Sequence, residues 1–136
     1  MTHLLDSSAL LALVLDEPGA AMVAGLCQRP DCSLAVSVLS KAELWSRLKS
    51  LGCEEAFERE WSLFEPMIEA VLPVDEAVVD ESLLLRRSCP SRLPMVDSLI
   101  AGTARVHNLV LVHRDRHFRG IPGELLTQWD LAAAPG

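Results

Sequence analysis

The feature that most limits what this chain can fold into is an alternation. Short apolar runs, many of them branched, are separated by longer segments with helical spacing. The clearest run is LVLV at Leu109–Val112, and SLAVSV at Ser33–Val38 has the same character. Such runs read as strands buried on both faces. The sequence predicts further strands at His3–Leu5 and Val71–Val74, and an edge strand at Leu125–Trp129. Helices are predicted over Ser7–Leu15, Ala20–Gln28, Ser40–Ser50, Glu54–Glu69, Ala77–Arg87 and Pro94–His107. On the fourth of these, Phe57, Trp61 and Phe64 recur at helical spacing and read as core packing. Strands alternating with helices imply an α/β fold of three layers, a central mostly parallel sheet flanked by helices. Sites on such sheets lie outside the carboxyl ends of the strands.

At about 100–200 residues per domain, a chain of 136 residues makes one domain, expected over 1–131, with 132–136 as a loose tail. The longest apolar run, Ala9–Leu15, is far short of the ~20 residues a membrane span requires. MTHLLD has no basic region, and Asp6 comes too early for a signal peptide, so the expected compartment is the cytoplasm. The four cysteines form no CxxC pair and complete no zinc spacing, and they read as free thiols.

A net charge of −7 argues against nonspecific coating of nucleic acid, but the charge is segregated. Residues 54–81 carry ten acids and one base, whereas residues 86–119 carry seven arginines and only two acids, Asp97 and Asp115. A local basic stretch can meet phosphate even in an acidic protein.

Those two acids belong to a set of four. Asp6 follows the first predicted strand, Glu43 lies early in the helix after the second, Asp97 lies near the start of a helix, and Asp115 follows LVLV. Each alone has an ordinary explanation. Asp6 or Ser7 can cap a helix. Ser40 and Glu43 fit a capping box. Asp97, with Pro94 read as the first helical position, sits at a positive helix end, and Asp115 can be a turn residue. Together they are expected at one rim of a parallel sheet, where four carboxylates repel one another. A hard divalent cation such as Mg²⁺ or Mn²⁺ relieves that repulsion. The chain has no GxGxxG or GxxxxGK[ST] phosphate loop and no GxSxG elbow, which leaves a metal as the available chemical engine.

The stretches LLDSSALLAL, SVLSKAELWSRL, LPMVDSLIAGTA and LVLVHRDRHFRGI, in that order and spacing, resemble a PIN domain, and in particular the VapC toxins of bacterial toxin–antitoxin pairs. The resemblance covers nearly the whole chain. By position, the acidic quartet of that family falls on Asp6, Glu43, Asp97 and Asp115. The resemblance implies a Mg²⁺- or Mn²⁺-dependent endoribonuclease, a homodimer, and a small antitoxin that blocks the site. The RNA target it implies is structured, such as tRNA. His113 stands where many relatives have Thr or Ser, and His117 where many have a further Asp. Both histidines read first as exposed loop residues, with phosphate contact as the alternative.

The expected chemistry is hydrolysis of an RNA phosphodiester, with metal activating water for in-line attack. Asp6, Asp97 and Asp115 are the expected metal ligands, direct or through water. Glu43 either binds metal or orients the water. Ser7 either bonds a metal water or caps the helix, and Arg114 and Arg116 are candidates for gripping phosphate. An aspartyl-phosphate phosphotransfer domain is one rival, but its Asp-x-Asp is replaced here by Asp6-Ser7-Ser8. The other rival is a catalytically silent PIN-like module that binds RNA or protein.

Overall fold

Three helices open on a residue whose side chain caps them. Asp6 starts α1 (Ser7–Val14), Ser37 starts α3 (Val38–Ser50), and Asp75 starts α5 (Glu76–Ser88), each accepting a first-turn amide. The other helices are α2 (Ala20–Gln28), α4 (Phe57–Phe64) and α6 (Met95–His107). The strands are β1 (His3–Leu5), β2 (Leu34–Ser37), β3 (Ile68–Leu72), β4 (Val110–His113) and β5 (Gln128–Asp130). This architecture is that of a computed structural model, which describes residues 1–133.

The strands form one sheet in the order β3-β2-β1-β4-β5, and every pairing is parallel. Neighbouring strand residues point to opposite faces, and this alternation divides the core in two. Leu5, Val36 and Val112 face a cluster built with Leu10, Val23, Leu44 and the buried ring of Trp61. Leu4, Ala35 and Leu111 face a second cluster built with Leu85, Ile100, Ala104 and Phe118. The result is the expected three layers. Phe57, Trp61 and Phe64 are all buried in the first cluster, as the helical spacing predicts.

Helix α6 carries Asp97 and lies against α5 with almost no gap. A Cβ at Gly102 would stand 2.7 Å from the Val78 carbonyl oxygen and 3.1 Å from the Ser82 nitrogen. Glycine at this point sets the separation of the two helix backbones.

Several boundaries differ from the sequence reading, each for a local reason. Helix α3 begins at Val38 because Ser37, not Ser40, caps it. Pro94 occupies the N-cap of α6 rather than its first turn. The segment 54–69 is not one helix. It runs as a 3-10 turn at Glu54–Ala56, then α4, then a 3-10 turn at Glu65–Met67 containing Pro66, which has no amide to donate. Strand β3 therefore starts at Ile68, and it stops before Pro73, which cannot continue the ladder. Strands β4 and β5 each sit slightly later than predicted. Residues 131–133 form a turn in which Asp130 accepts the amides of Ala132 and Ala133. Of the tail expected at 132–136, residues 134–136 lie outside the described residues.

Candidate active site

Strand β1 is central. The chain leaves it toward β2 on one side and returns to β4 on the other, so the strand order reverses between β1 and β4. Crevices in parallel sheets open at such a reversal. Leu5 is in register with Val112, which puts Asp6 and the residues after β4 at the same rim. The Asp6 amide donates to Val112 O at 2.9 Å and ties the two strand ends together.

Asp6 is 1 % exposed. Its Oδ2 caps α1, accepting from the Ser8 amide at 3.1 Å and the Ser8 hydroxyl at 2.6 Å. Its Oδ1 is buried and has no hydrogen-bond partner among the described residues. Burial raises its pKa, against the Ser8 hydrogen bonds that stabilise the charged form, and the Asp115 carboxylate raises it further. Ser8 Oγ also accepts from the Arg114 amide at 2.9 Å, so one hydroxyl spans the ends of β1 and β4.

Glu43 makes no capping box. It lies in the second turn of α3, and its Oε1 accepts from Ser7 Oγ at 3.0 Å. Its pKa is raised by burial and by Asp6, opposed by the Ser7 hydroxyl. Asp97, in the first turn of α6, is strongly disturbed. Burial pushes its pKa up to about 7, with Asp115, Asp6 and Glu43 adding to the effect in that order. Asp115 follows β4 and caps the 3-10 turn Arg116–Gly120 by accepting the His117 amide at 2.9 Å. The structure thus brings all four acids to one place.

Three further kinds of residue join them. His117 Nδ1 lies 3.1 Å from an oxygen of Asp97 and 3.1 Å from one of Asp115, but in line with neither for a hydrogen bond. One donor atom each from Asp97, Asp115 and His117 falls within 4.8 Å of the others, close enough to share a metal ion. Arg47 and Arg119 line the cleft beside Arg114 and Arg116. Arg114 pairs with Glu17 at 3.4 Å and Arg119 with Asp130 at 2.6 Å; among the described residues, neither Arg47 nor Arg116 has an ion-pair partner. The cleft holds about 540 Å³, and Ser7 and Ser8 also line it. His113 corrects its sequence reading outright, because it is 0 % exposed and does not reach the cleft. His117 is only half-buried, but it faces the acids.

Sequence reasoning missed Ser8, Arg47 and Arg119, and read His117 first as an exposed loop residue with phosphate contact as the alternative. The signal for His117 was its position two residues after Asp115, which puts both side chains on one turn. Ser8 had the spacing of an Asx turn with Asp6. Arg47 stands four residues after Glu43, on the same helix face. Arg119 carried no such signal.

The donor set tests well against a hard divalent cation. It offers several carboxylate oxygens, one of them buried and unpartnered, whose mutual repulsion a cation would relieve.

A parallel α/β sheet with an acid-lined cleft at its topological switch point defines the class. The sequence model of the PIN domain matches residues 3–124, and the chain belongs to that family. Solved structures with the same fold include VapBC2 from Rickettsia felis bound to a promoter DNA fragment. It is 19 % identical, with a TM-score of 0.77, covering 96 % of this chain and 98 % of that one. A toxin–antitoxin complex from Klebsiella pneumoniae is 22 % identical, with a TM-score of 0.68 and coverage of 96 % and 98 %. FitAcB from Neisseria gonorrhoeae is 22 % identical, with a TM-score of 0.72 and coverage of 98 % and 100 %. Comparison with curated proteins gives no match.

Proposed function

We propose that this chain is a metal-dependent endoribonuclease and the toxin of a bacterial toxin–antitoxin pair. The observation that carries the reading is Asp6. A fully buried carboxylate with one unpartnered oxygen, surrounded by three other acids, is costly unless a cation completes it. Family membership and the shared fold with solved toxin–antitoxin complexes support the biological half.

In this reading Asp6, Asp97 and Asp115 hold Mg²⁺ or Mn²⁺, with His117 within reach as a further donor. The cation would supply charge stabilisation at the phosphate and lower the pKa of an attacking water. Glu43 either joins the ligands or takes the water's proton; its raised pKa supports the proton role. Ser7 orients Glu43 through its hydroxyl. Arg114 and Arg116, helped by Arg47 and Arg119, grip the flanking phosphates as charge-assisted donors. The substrate is a structured RNA such as tRNA. The antitoxin silences the site by presenting Arg or Lys to the carboxylates. Leu51 and Leu63, both more than half exposed, offer apolar surface for a partner helix or a second subunit of a homodimer. Residues 1–131 act as one domain. Among the described residues no helix is long and apolar enough to cross a membrane, in keeping with work in the cytoplasm.

Protein freed of any partner should cleave tRNA with Mg²⁺ or Mn²⁺ and stop with EDTA, and Asp6→Asn should be inactive. Cleavage that persists unchanged both in EDTA and in Asp6→Asn overturns the metal mechanism.

A further inference from the structure

His113 is a titratable side chain next to the cleft that the proposed chemistry does not use, and it is completely buried. Both ring nitrogens are engaged. The Asp115 amide donates to Nδ1 at 3.1 Å, and Nε2 lies 2.8 Å from Gln128 Oε1. The Gln128 Nε2 amide donates in turn to Phe118 O at 2.9 Å. The Phe118 ring packs against the imidazole, with centroids 4.8 Å apart.

Two backbone groups fix the protons along this path. A backbone amide can only donate, so Nδ1 carries no proton. A backbone carbonyl can only accept, so Gln128 turns its N–H toward Phe118 and its oxygen toward the ring. Nε2 must then carry the hydrogen. The ring is held in one neutral tautomer by groups whose roles cannot change.

The bond to Asp115 closes a turn in which a side chain accepts the amide two residues on. Asp, Asn, Ser and Thr normally do this, and in this chain Asp6 does it with Ser8 and Asp115 with His117. At position 113 an imidazole takes that part. It can also reach β5, which a short side chain cannot. Two turns therefore follow in series, 113 to 115 and 115 to 117. The Gln128 bond to Phe118 then anchors the far end of the same loop.

We infer that His113 is a positioning residue, whose Nε2–H tautomer fixes the backbone at Asp115 and so raises the affinity of the cleft for a divalent cation. This rests on reading Asp115 as a metal ligand. Partners that orient ligands are typically worth about ten- to a hundredfold in metal affinity. Here the bond goes to the backbone, and the lower end of that range is expected.

The test is Mn²⁺ binding by calorimetry to the parent, Asp115→Asn, His113→Leu and His113→Asn, with cleavage kinetics alongside. Asn presents a side-chain oxygen near the position of Nδ1 but cannot reach Gln128. The expected result is Mn²⁺ affinity about tenfold weaker in His113→Leu and largely restored in His113→Asn. In kinetics, the loss in His113→Leu should shrink at saturating Mn²⁺. Equal losses in both variants would reduce His113 to packing and overturn the proposal, as would parent-like affinity in His113→Leu. If Asp115→Asn binds Mn²⁺ as the parent does, the metal reading itself fails, and the inference falls with it. Should the variants fail to fold, long-range proton–nitrogen NMR of the unmodified metal-free protein still decides. An Nε2–H tautomer at neutral pH supports the proposal, and a ring protonated at Nδ1 overturns it.

Discussion

At the scale of the residue, Asp97 has two competing explanations that predict opposite outcomes. Near a helix start, a carboxylate is commonly stabilising by about 0.3–1 kcal/mol. Yet among the described residues no helix amide donates to Asp97, and its pKa is raised from 3.8 to about 7, chiefly by burial and then by Asp115, Asp6 and Glu43. A raised pKa means the folded state holds the proton more tightly than the unfolded chain. The stability this brings is complete below the unfolded value of 3.8 and is lost as pH rises through about 7. The titration belongs to the cluster as a whole, so the melting curve reports the group. Metal-free Asp97→Asn should therefore melt at or above the parent at about pH 8, show a flatter pH dependence across that window, and gain nothing from Mn²⁺. Melts with EDTA and with Mn²⁺ check this. A variant that melts lower in EDTA but gains as much from Mn²⁺ as the parent makes Asp97 a helix-end residue.

At the scale of the element, the site depends on how closely α6 approaches α5, and that depends on Gly102. An alanine in a helix interior should gain about 1 kcal/mol over glycine from propensity alone. The added Cβ, however, would meet backbone atoms of Val78 and Ser82 at 2.7 and 3.1 Å, and backbone yields poorly. Overpacking of this kind costs about 1–3 kcal/mol. Gly102→Ala should therefore destabilise the protein in denaturant melts, and weaken Mn²⁺ binding by displacing the helix that carries Asp97. A more stable variant would mean the two helices separate freely. The strands and helices were largely legible in the sequence because burial on both sheet faces leaves unbroken apolar runs such as LVLV. Helix ends were less legible, since Ser37 and Ser40 are equally good caps on paper and only packing selects between them. Asp6 and Asp115 were legible because each follows a strand of a parallel sheet, whereas Glu43 and Asp97 were placed only by where their helices start. His113 was not, because the bonds that bury it come from Gln128, fifteen residues away on another strand. His117 depended on a 3-10 turn whose direction the local sequence does not specify.

At the scale of the whole molecule, the segregated charge is spatial in part: α5 joins the two stretches and Glu81 pairs with Arg105 at 2.7 Å, but the ends of the sheet differ. The acidic stretch 54–81 includes α4 and β3 at one edge of the sheet, while the arginines after β4 gather toward the opposite edge, near β5. Arg47, Arg114, Arg116 and Arg119 line the same cleft as the carboxylates. A polyanion therefore meets a repulsive side and an attractive one, and its approach to the cleft is oriented even though the net charge is −7. Binding that rests on arginine–phosphate contacts releases counterions, so affinity falls as salt rises, by roughly 0.7 logarithmic units per contact for each tenfold rise in salt on single strands. If Asp6→Asn is inactive, as the proposed function requires, it allows RNA binding to be measured without cleavage. By fluorescence anisotropy over a series of salt concentrations, Arg116→Ala on that background should weaken binding to all sequences alike and lower the salt slope by about one contact. Arg47→Ala should do the same, since it too lacks an ion-pair partner among the described residues. Arg119→Ala should lower the slope less, because Asp130 already neutralises that guanidinium at 2.6 Å. An unchanged slope in both Arg47→Ala and Arg116→Ala would mean the RNA backbone runs elsewhere on the molecule, and the arginines around the cleft would then serve only to balance its acids.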